Sequence, residues 1–311
     1  MEPTMPFPIE ETIVELGNSD KPLLNSRLAE LSNLSPEELG LIKRSWVVIE
    51  PERRRQIVYR LVELAEDNLE LNFDSILKYC LKDQDDEVRS KAIEGLWESE
   101  ETSLVNPLIN LLELDSSEKV QAVAATALGK FAMLAEHKKL RSYHLVRIQE
   151  ALLTTFSDKS KPVEVRRRAL EAAAPLSLSQ VKTAVMEAYQ SPDSRLKVSS
   201  IYAMGKNCDS SWLPILLKEL GSADVEVRYE AAGACGELEE EEAVPYLIKL
   251  VNDLDADIQI AAIQALGKIG STEAKECLER CLNNTSAAIR QTAEQVLSDL
   301  EAKEALLSFQ P

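Results

Sequence analysis

The side chains of this sequence that are best suited to metal or phosphate chemistry gather in one short stretch. Both histidines of the chain, His137 and His144, lie there beside Lys138, Lys139 and Arg141. Two histidines with no nearby cysteine or paired carboxylate make a poor coordination sphere, so no metal site is predicted. The stretch is interpreted in two ways. It is either a basic protrusion that binds an acidic partner or a phosphate, or a lengthened helix that ends in a solvated loop.

The five cysteines do not indicate redox or nucleophilic chemistry. They form no Cys-x-x-Cys pair, and four of them occupy positions that hold leucine or isoleucine elsewhere in a repeated pattern. Cysteine behaves as a small hydrophobic residue in such positions. Only Cys208 lies outside the pattern, near a turn. The sequence also lacks a glycine-rich phosphate loop and a Ser/His/Asp arrangement, so we expect no catalytic residue, no cofactor and no enzyme activity.

The acidic composition limits the partners that this protein can have. Its formal net charge is -18, which opposes attraction to nucleic-acid phosphates and to anionic membranes. We therefore expect neither a nucleic-acid partner nor membrane association. The sequence does not begin with the basic, apolar and small residues of a signal peptide, and no apolar run approaches ~20 residues. The predicted location is the bacterial cytoplasm.

One sequence motif of alanines, aliphatic residues and a single arginine recurs along the chain, for example at 85–99, 224–238 and 255–269. Its aliphatic anchors are Ile57, Val88, Val120, Val165, Leu196, Val227, Ile258 and Ile289. Successive anchors are 31, 32, 45, 31, 31, 31 and 31 residues apart. Small or apolar residues follow most anchors at the fourth, seventh and eighth positions. Those positions share one face of a helix, which predicts a helix B in each unit.

A second helix, helix A, is predicted before each helix B. Three units carry a proline thirteen residues before the anchor, where it suits the first turn of a helix. These prolines are Pro107, Pro214 and Pro245. Aspartates just before helix B are expected to cap its N-terminus. They are Asp85, Asp224 and Asp257. One such hairpin cannot bury its own apolar face, so the units must stack.

The pattern D-x-[DE]-V-R-x-x-A-x-x-A-[LC]-G resembles HEAT repeats, in particular the HEAT-like repeats named after phycobilisome lyases. The resemblance implies an all-α, right-handed α-α superhelix of HEAT/armadillo type with about eight helical hairpins. Residues 1–34 are predicted to cap it, 35–300 to form the solenoid with an insertion near 131–145, and 301–311 to form a tail. In that family, Asp and Arg of successive units hydrogen-bond along the stack. The matching arginines are Arg89, Arg166, Arg228 and Arg290.

The resemblance also allows enzyme functions as alternatives. Deoxyhypusine hydroxylases hold iron on His-Glu pairs, but neither His137 nor His144 is followed by glutamate. HEAT-like DNA glycosylases use a basic concave groove, to which the arginines at 53–55 and 166–168 could contribute. Bilin lyases of the phycobilisome type have no simple local motif to compare. The alternative to a binding protein is therefore a phycobilisome-lyase-like or DNA-glycosylase-like HEAT enzyme.

The favoured prediction is a non-catalytic scaffold or adaptor that binds a protein or peptide partner. In HEAT-like stacks, B helices line the concave surface, and the residues two and six places after each anchor point away from the buried face. Apolar and tyrosine side chains at these positions in three successive units predict a contact patch. The candidate partner-binding residues are Val198, Tyr202, Tyr229, Ile260, Arg167 and Arg168. The alternative is that the first four pack between adjacent B helices. The basic stretch at 137–144 is the second candidate surface.

Overall fold

The computed structural model describes residues 9–308, which contain only helices, turns and irregular segments. The first eight residues of the predicted cap and the last three of the predicted tail lie outside the described residues. The chain divides into two compact units, of which the first ends at Ala172 and the second begins at Ala173. No helix of residues 9–308 combines the length and the apolar character that crossing a bilayer requires.

Among the described residues, ten α-helices belong to the first unit, the last of which ends one residue beyond its boundary. They are α1 (Ile9–Gly17), α2 (Asn25–Ala29), α3 (Pro36–Trp46), α4 (Pro51–Asp67), α5 (Asp74–Cys80), α6 (Asp86–Gly95), α7 (Val105–Leu114), α8 (Glu118–Glu136), α9 (Ser142–Ser157) and α10 (Val163–Ala173). Helix α1 packs on α3 and α4, and α2 packs on α4. Because α1 turns Ile13 and Leu16 inward, these two short helices cover the first hairpin.

The described part of the second unit, up to residue 308, contains eight α-helices. They are α11 (Ser179–Tyr189), α12 (Ser194–Asn207), α13 (Leu213–Glu219), α14 (Val225–Leu238), α15 (Val244–Leu250), α16 (Ala256–Ile269), α17 (Thr272–Cys281) and α18 (Ala287–Ser308). A single 3-10 turn leads into each of α7, α13 and α15, the helices that carry the three predicted prolines.

Within residues 9–308, the helices from α3 onward alternate between odd-numbered A helices and even-numbered B helices, which gives eight consecutive A–B hairpins along the chain. The A and B helices of one hairpin pack on each other in α5/α6, α7/α8, α11/α12, α13/α14, α15/α16 and α17/α18. Neighbouring B helices pack side by side, in the order α4, α6, α8 in the first unit and α12, α14, α16, α18 in the second. The alanines that follow each anchor are buried in these contacts. The predicted class, an all-α solenoid of HEAT type, is confirmed.

Side-chain caps fix where the helices begin. Ser35 and Glu38 form a reciprocal capping box at the start of α3, as serine and glutamate three residues apart predict. Asp85 caps α6 and Asp224 caps α14 through backbone N–H groups. The third predicted cap was wrong. Asp255, two residues before Asp257, accepts the first N–H bonds of α16, and Asp257 lies inside the first turn.

Glycines near the ends of the B helices allow the next helix to approach closely. A Cβ added at Gly205 in α12 would lie 2.7 Å from Ala234 Cα in α14, and one at Gly236 would lie 2.8 Å from Ala265 Cα in α16. Such distances are below normal contact, so each glycine and the small residue opposite form a matched pair. The close packing of the second unit depends on these pairs.

An arginine–aspartate ladder links successive hairpins. Arg89 donates to both oxygens of Asp115 at 2.7 and 2.8 Å, and Arg228 donates to both oxygens of Asp253 at 3.0 and 3.2 Å. Each guanidinium also donates to carbonyls of the turn before its own helix. In the first hairpin Arg54, rather than the anchor's neighbour, makes the equivalent contact with Asp83 at 3.0 Å.

The ladder does not run through every predicted arginine. Arg166 Nε donates to the Phe156 carbonyl at 2.8 Å, and Arg290 donates to the carbonyls of the turn before α18. Where glutamine replaces arginine, Gln259 Nε2 donates to the Asp253 carbonyl at 2.6 Å. Glutamine therefore hydrogen-bonds to the turn before its own helix, but a single amide cannot also reach the carboxylate of the next hairpin.

Candidate partner-binding surface

Four of the predicted contact residues lie on three successive B helices of the second unit. Val198 and Tyr202 belong to α12, Tyr229 to α14 and Ile260 to α16. The tyrosines are 37% and 45% exposed, while the valine and isoleucine are half-buried. We call the exposed side of these three helices, which includes these four residues, the B-helix face.

Two adjacent depressions mark the B-helix face. The larger, an open groove of about 610 Å³, is lined by Val198, Tyr229 and Ile260 together with Val225. The smaller holds about 140 Å³ and lies between Tyr202 and Tyr229. Tyr229 therefore lines both depressions. The structure places the four predicted residues on one continuous surface.

Carboxylates surround the larger groove. Glu226 and Glu230 reach it from α14, and Asp255 and Asp257 reach it from the start of α16. Asp255 is held by its capping bonds to the N–H groups of residues 257 and 258. The groove thus combines an apolar floor with an acidic margin.

The C-terminal ends of the same helices are fastened together by an ion-pair bridge. Lys206 of α12 and Lys268 of α16 both donate to Glu237 Oε1 of α14, at 2.7 and 2.9 Å. Burial works to raise the pKa of Glu237, but the two lysine contacts outweigh it and hold the pKa below its usual value. The Lys206 ammonium also lies 5.8 Å from the centroid of the Tyr202 ring. The bridge thus connects three helices that already pack side by side.

The two arginines predicted to contribute to the site lie in the first unit, in α10. Arg167 contacts Glu164 and Glu171, with an Nη1–Oε1 distance of 3.2 Å to Glu171. Arg168 contacts the same two glutamates, at 3.0 and 2.9 Å. Two positive and two negative charges thus neutralise one another on one helix. This network leaves Arg167 and Arg168 with no unpaired charge to offer a partner.

The basic stretch extends from the C-terminal cap of α8 to the first turn of α9. His137 ends α8, and the backbone N–H groups of Lys138 and Lys139 donate to the last carbonyls of that helix at 2.9 and 2.8 Å. Arg141 precedes α9, and His144 lies in its first turn. Helix α8 is 19 residues long, against 14 for α14. The extra length between the anchors is therefore shared between a helix B and the next helix A, since α9 has 16 residues against 10 for α7. Within residues 9–308, no three metal-ligating side chains gather in a suitable group.

Sequence patterns missed the residues at the rim of the face. Val225 and Glu226 stand just before an anchor, and Asp255 precedes the next. Positions two and six places after each anchor point outward from a single helix and do not include these residues. The first turn of one helix B also borders the neighbouring B helix, and this neighbour relation could have been found by aligning the repeats.

The chain is similar to known proteins in its repeats and in its fold. The family model for HEAT repeats matches residues 73–143 and 213–298, about half of the sequence. A comparison with curated proteins finds no match. One similar structure is a chain of the CpcE–CpcF complex of phycocyanin lyase from Nostoc sp. PCC7120. The two chains are 16% identical, their alignment covers 91% of this chain and 97% of that chain, and the TM-score is 0.53. A second similar structure is the Kap95:Nup1 complex, with 13% identity and a TM-score of 0.52. That alignment covers 94% of this chain and 46% of the other chain. At these identities the similarity is one of fold.

Proposed function

This chain belongs to the HEAT-repeat family, and from that premise we propose that it is a non-catalytic scaffold or adaptor of the cytoplasm. It binds a protein or peptide partner through the B-helix face of its second unit. The observation that carries this proposal is the exposure of Tyr202 and Tyr229 on one surface, next to the half-buried Val198 and Ile260.

The chemistry of the face is that of a protein contact. Tyrosine is enriched among the residues that dominate binding energy, because its ring buries a large area at small entropic cost while its hydroxyl stays hydrogen-bonded. Tyr202 and Tyr229 flank a small depression, and Tyr229 also overlooks the larger groove. The Lys206–Glu237–Lys268 bridge connects the helices that carry them, so little of the binding energy is spent on ordering the surface.

Charge argues against a nucleic-acid ligand on this face. The larger groove is lined by four carboxylates and by no basic residue among those that border it. Nucleic-acid binding draws most of its affinity from lysine and arginine contacts to phosphates. An acidic groove would repel the phosphate backbone.

An open groove of the first unit is lined by Arg53, Arg55 and Arg60, and it is also a poor phosphate site. Arg53 donates to two backbone carbonyls, at 2.6 and 2.8 Å. Arg55 pairs with Asp85 at 2.7 Å. Arg60 pairs with Glu63 at 2.5 Å. Because these guanidinium groups are already engaged, a phosphate would have to displace protein partners. This favours a protein ligand over the glycosylase-like alternative.

The structural neighbours support a protein partner in general. Two of these neighbours were solved as protein complexes, CpcE with CpcF and Kap95 with Nup1. The likeness to the lyase is one of fold alone and supplies no catalytic residue to this chain. The lyase alternative therefore has no observation of its own that favours it over the scaffold.

The test is affinity purification from native lysate with the wild type and with Tyr202→Ala/Tyr229→Ala. We expect a protein to be captured by the wild type and lost from the folded double variant. Tyr246→Ala is the matched control, because Tyr246 is 43% exposed but lies on the A helix α15. If the same protein remains bound to the double variant, the B-helix face is not the binding surface, and the basic stretch at 137–144 is tested next.

A further inference from the structure

We propose that the partner of the B-helix face binds as an extended peptide segment whose main chain hydrogen-bonds to glutamines at the end of that face. This inference rests on the proposed function and specifies how the partner is held. Two features of the second unit carry it. One is a third groove that continues the face onto α18, and the other is the set of side-chain amides inside this groove.

The third groove adjoins the two depressions of the B-helix face. It holds about 740 Å³ and is lined mainly by residues of α16 and α18. Gln264 of α16 lines this groove and both depressions, so the three are contiguous. Gly233 of α14 lines the smaller depression and leaves it open, since a Cβ added there would meet nothing within 4 Å. One path therefore crosses four neighbouring B helices, from α12 to α18.

The outward-facing side chains change in character along this path. Two and six places after the anchor, α12 presents Val198 and Tyr202, whereas α18 presents Gln291 and Gln295. The tyrosine end suits the side chains of a partner. The other end offers amides, and we call the third groove the glutamine groove. The glutamines that line it are Gln264, Gln291 and Gln295.

Two of these amides are available to a partner. Gln264 and Gln291 are exposed, and neither side chain forms a hydrogen bond within residues 9–308. Gln295 Nε2 donates to Asp299 Oδ1 at 2.8 Å, which leaves its own carbonyl oxygen as an acceptor. A primary amide both donates and accepts, as a peptide group does. Each available amide can therefore pair with one N–H and one C=O of a partner's main chain.

The spacing of the two available amides fits an extended chain. Gln264 and Gln291 lie on neighbouring helices, because α16 packs directly on α18. Packed helices are ~8–10 Å apart, and an extended chain advances ~3.3 Å per residue. The two amides therefore face peptide groups about three residues apart. A helical segment uses its N–H and C=O groups internally, so it could not pair with them.

The charges of the glutamine groove are complementary to an uncharged main chain. Its charged lining residues are two acids, Glu239 and Asp299, and two bases, Lys268 and Lys303. Because their signs balance, the lining residues select neither an acidic nor a basic segment by long-range attraction. Main-chain hydrogen bonds supply affinity without regard to side-chain identity. The tyrosine end of the path is then left to select the sequence of the partner.

The test uses a random twelve-residue peptide library displayed on phage and selected on the full chain. Peptides that also bind Tyr202→Ala/Tyr229→Ala are removed by counter-selection. The tightest remaining peptide is synthesised with each backbone nitrogen methylated in turn, which removes one N–H donor and keeps every side chain. These peptides are measured against the wild type and against Gln264→Met/Gln291→Met, in which methionine keeps the side-chain length but has no amide. The matched control is Gln180→Met/Gln190→Met, which replaces two exposed glutamines at the two ends of the A helix α11.

We expect the affinity for the unmethylated peptide to fall about tenfold in Gln264→Met/Gln291→Met and to stay unchanged in the α11 control. Methylation at two positions about three residues apart should weaken binding to the wild type by about three- to fivefold each. The same methyl groups should have little effect on the Gln264→Met/Gln291→Met variant, because the amides that they oppose are already absent. A mere change in packing would not produce this coupling. Circular dichroism of each variant verifies that its fold is intact.

Other outcomes separate this inference from the proposed function. A tyrosine-dependent peptide that binds Gln264→Met/Gln291→Met as tightly as the wild type, or whose methylation effects persist unchanged on that variant, would overturn the main-chain inference and leave the partner-binding face standing. Loss of binding on methylation of every residue in a central run would indicate a helical segment and would overturn it in the same way. A selection that yields no peptide dependent on the two tyrosines would overturn both.

Discussion

Alanine should have opposite effects at two glycines that stand three residues apart on α14. At Gly233 an added Cβ meets nothing within 4 Å. Alanine is favoured over glycine inside a helix by about 1 kcal/mol, so Gly233→Ala should stabilise the protein by up to that amount. At Gly236 the same Cβ would lie 2.8 Å from Ala265 Cα and 2.9 Å from its Cβ. Overpacking of this kind costs about 1–3 kcal/mol.

The difference between the two variants isolates the packing of α14 on α16. Because the helix-propensity gain is common to both, Gly236→Ala should be less stable than Gly233→Ala by about 1–3 kcal/mol. Urea unfolding followed by circular dichroism at 222 nm measures the free energies, with the m-values compared to verify that the unfolding reaction is unchanged. Equal stability of the two variants would refute the close approach of the B helices at this point.

Three further predictions concern ionisable groups of the second unit. Arg228→Met should destabilise the protein by about 1–3 kcal/mol at pH 7, since it leaves the poorly exposed Asp253 carboxylate unpaired,. Burial raises the pKa of the Asp253 carboxyl, but the contact with Arg228 outweighs burial and holds that pKa below its usual value. The stability difference in urea unfolding should therefore shrink as pH falls through the pKa of that carboxyl. Lys182 and Ser211 lower the pKa of Asp209 to about 2. The substitution Lys182→Met should therefore raise the Asp209 pKa towards 3.8, as measured by a carboxyl NMR titration. An unchanged pKa would exclude the ion pair. Cys208 should react with a thiol reagent in the native protein, while the four buried cysteines should react only after unfolding. Because partial burial raises the pKa of the Cys208 thiol, the reaction rate of Cys208 should still rise near pH 9.

The repeat spacing was sufficient to predict the fold class because each hairpin obeys local rules. Anchors 31 residues apart, prolines at the start of helix A and aspartates before helix B all act within one unit,. Contacts between units were harder to predict. The ladder role of Arg54 depends on its reaching Asp83 in the next hairpin, and its position differs from that of the later ladder arginines. The cap of α16 was misplaced because the sequence before this helix offers three aspartates, at 253, 255 and 257, and only the local backbone selects Asp255.

The candidate site was predictable in part for the same reason. Outward-facing positions on one helix were enough to find Val198, Tyr202, Tyr229 and Ile260. The acidic margin was not found, since Asp255 and Asp257 reach the groove from the helix beside Tyr229. Arg167 and Arg168 were chosen for their charge, which side-chain contacts with Glu164 and Glu171 cancel. Sequence position does not reveal which charges are already paired.

The central claim is that the B-helix face of the second unit is the surface that contacts the partner. Its most direct test is photo-crosslinking in the native cell, with p-benzoyl-phenylalanine placed at Tyr229, Tyr246 or Tyr143, one site at a time. All three tyrosines are well exposed, so each aromatic replacement is tolerated by its surroundings. We predict a covalent protein adduct from position 229 and none from the other two. An adduct from position 143 or 246, with none from 229, would contradict the claim.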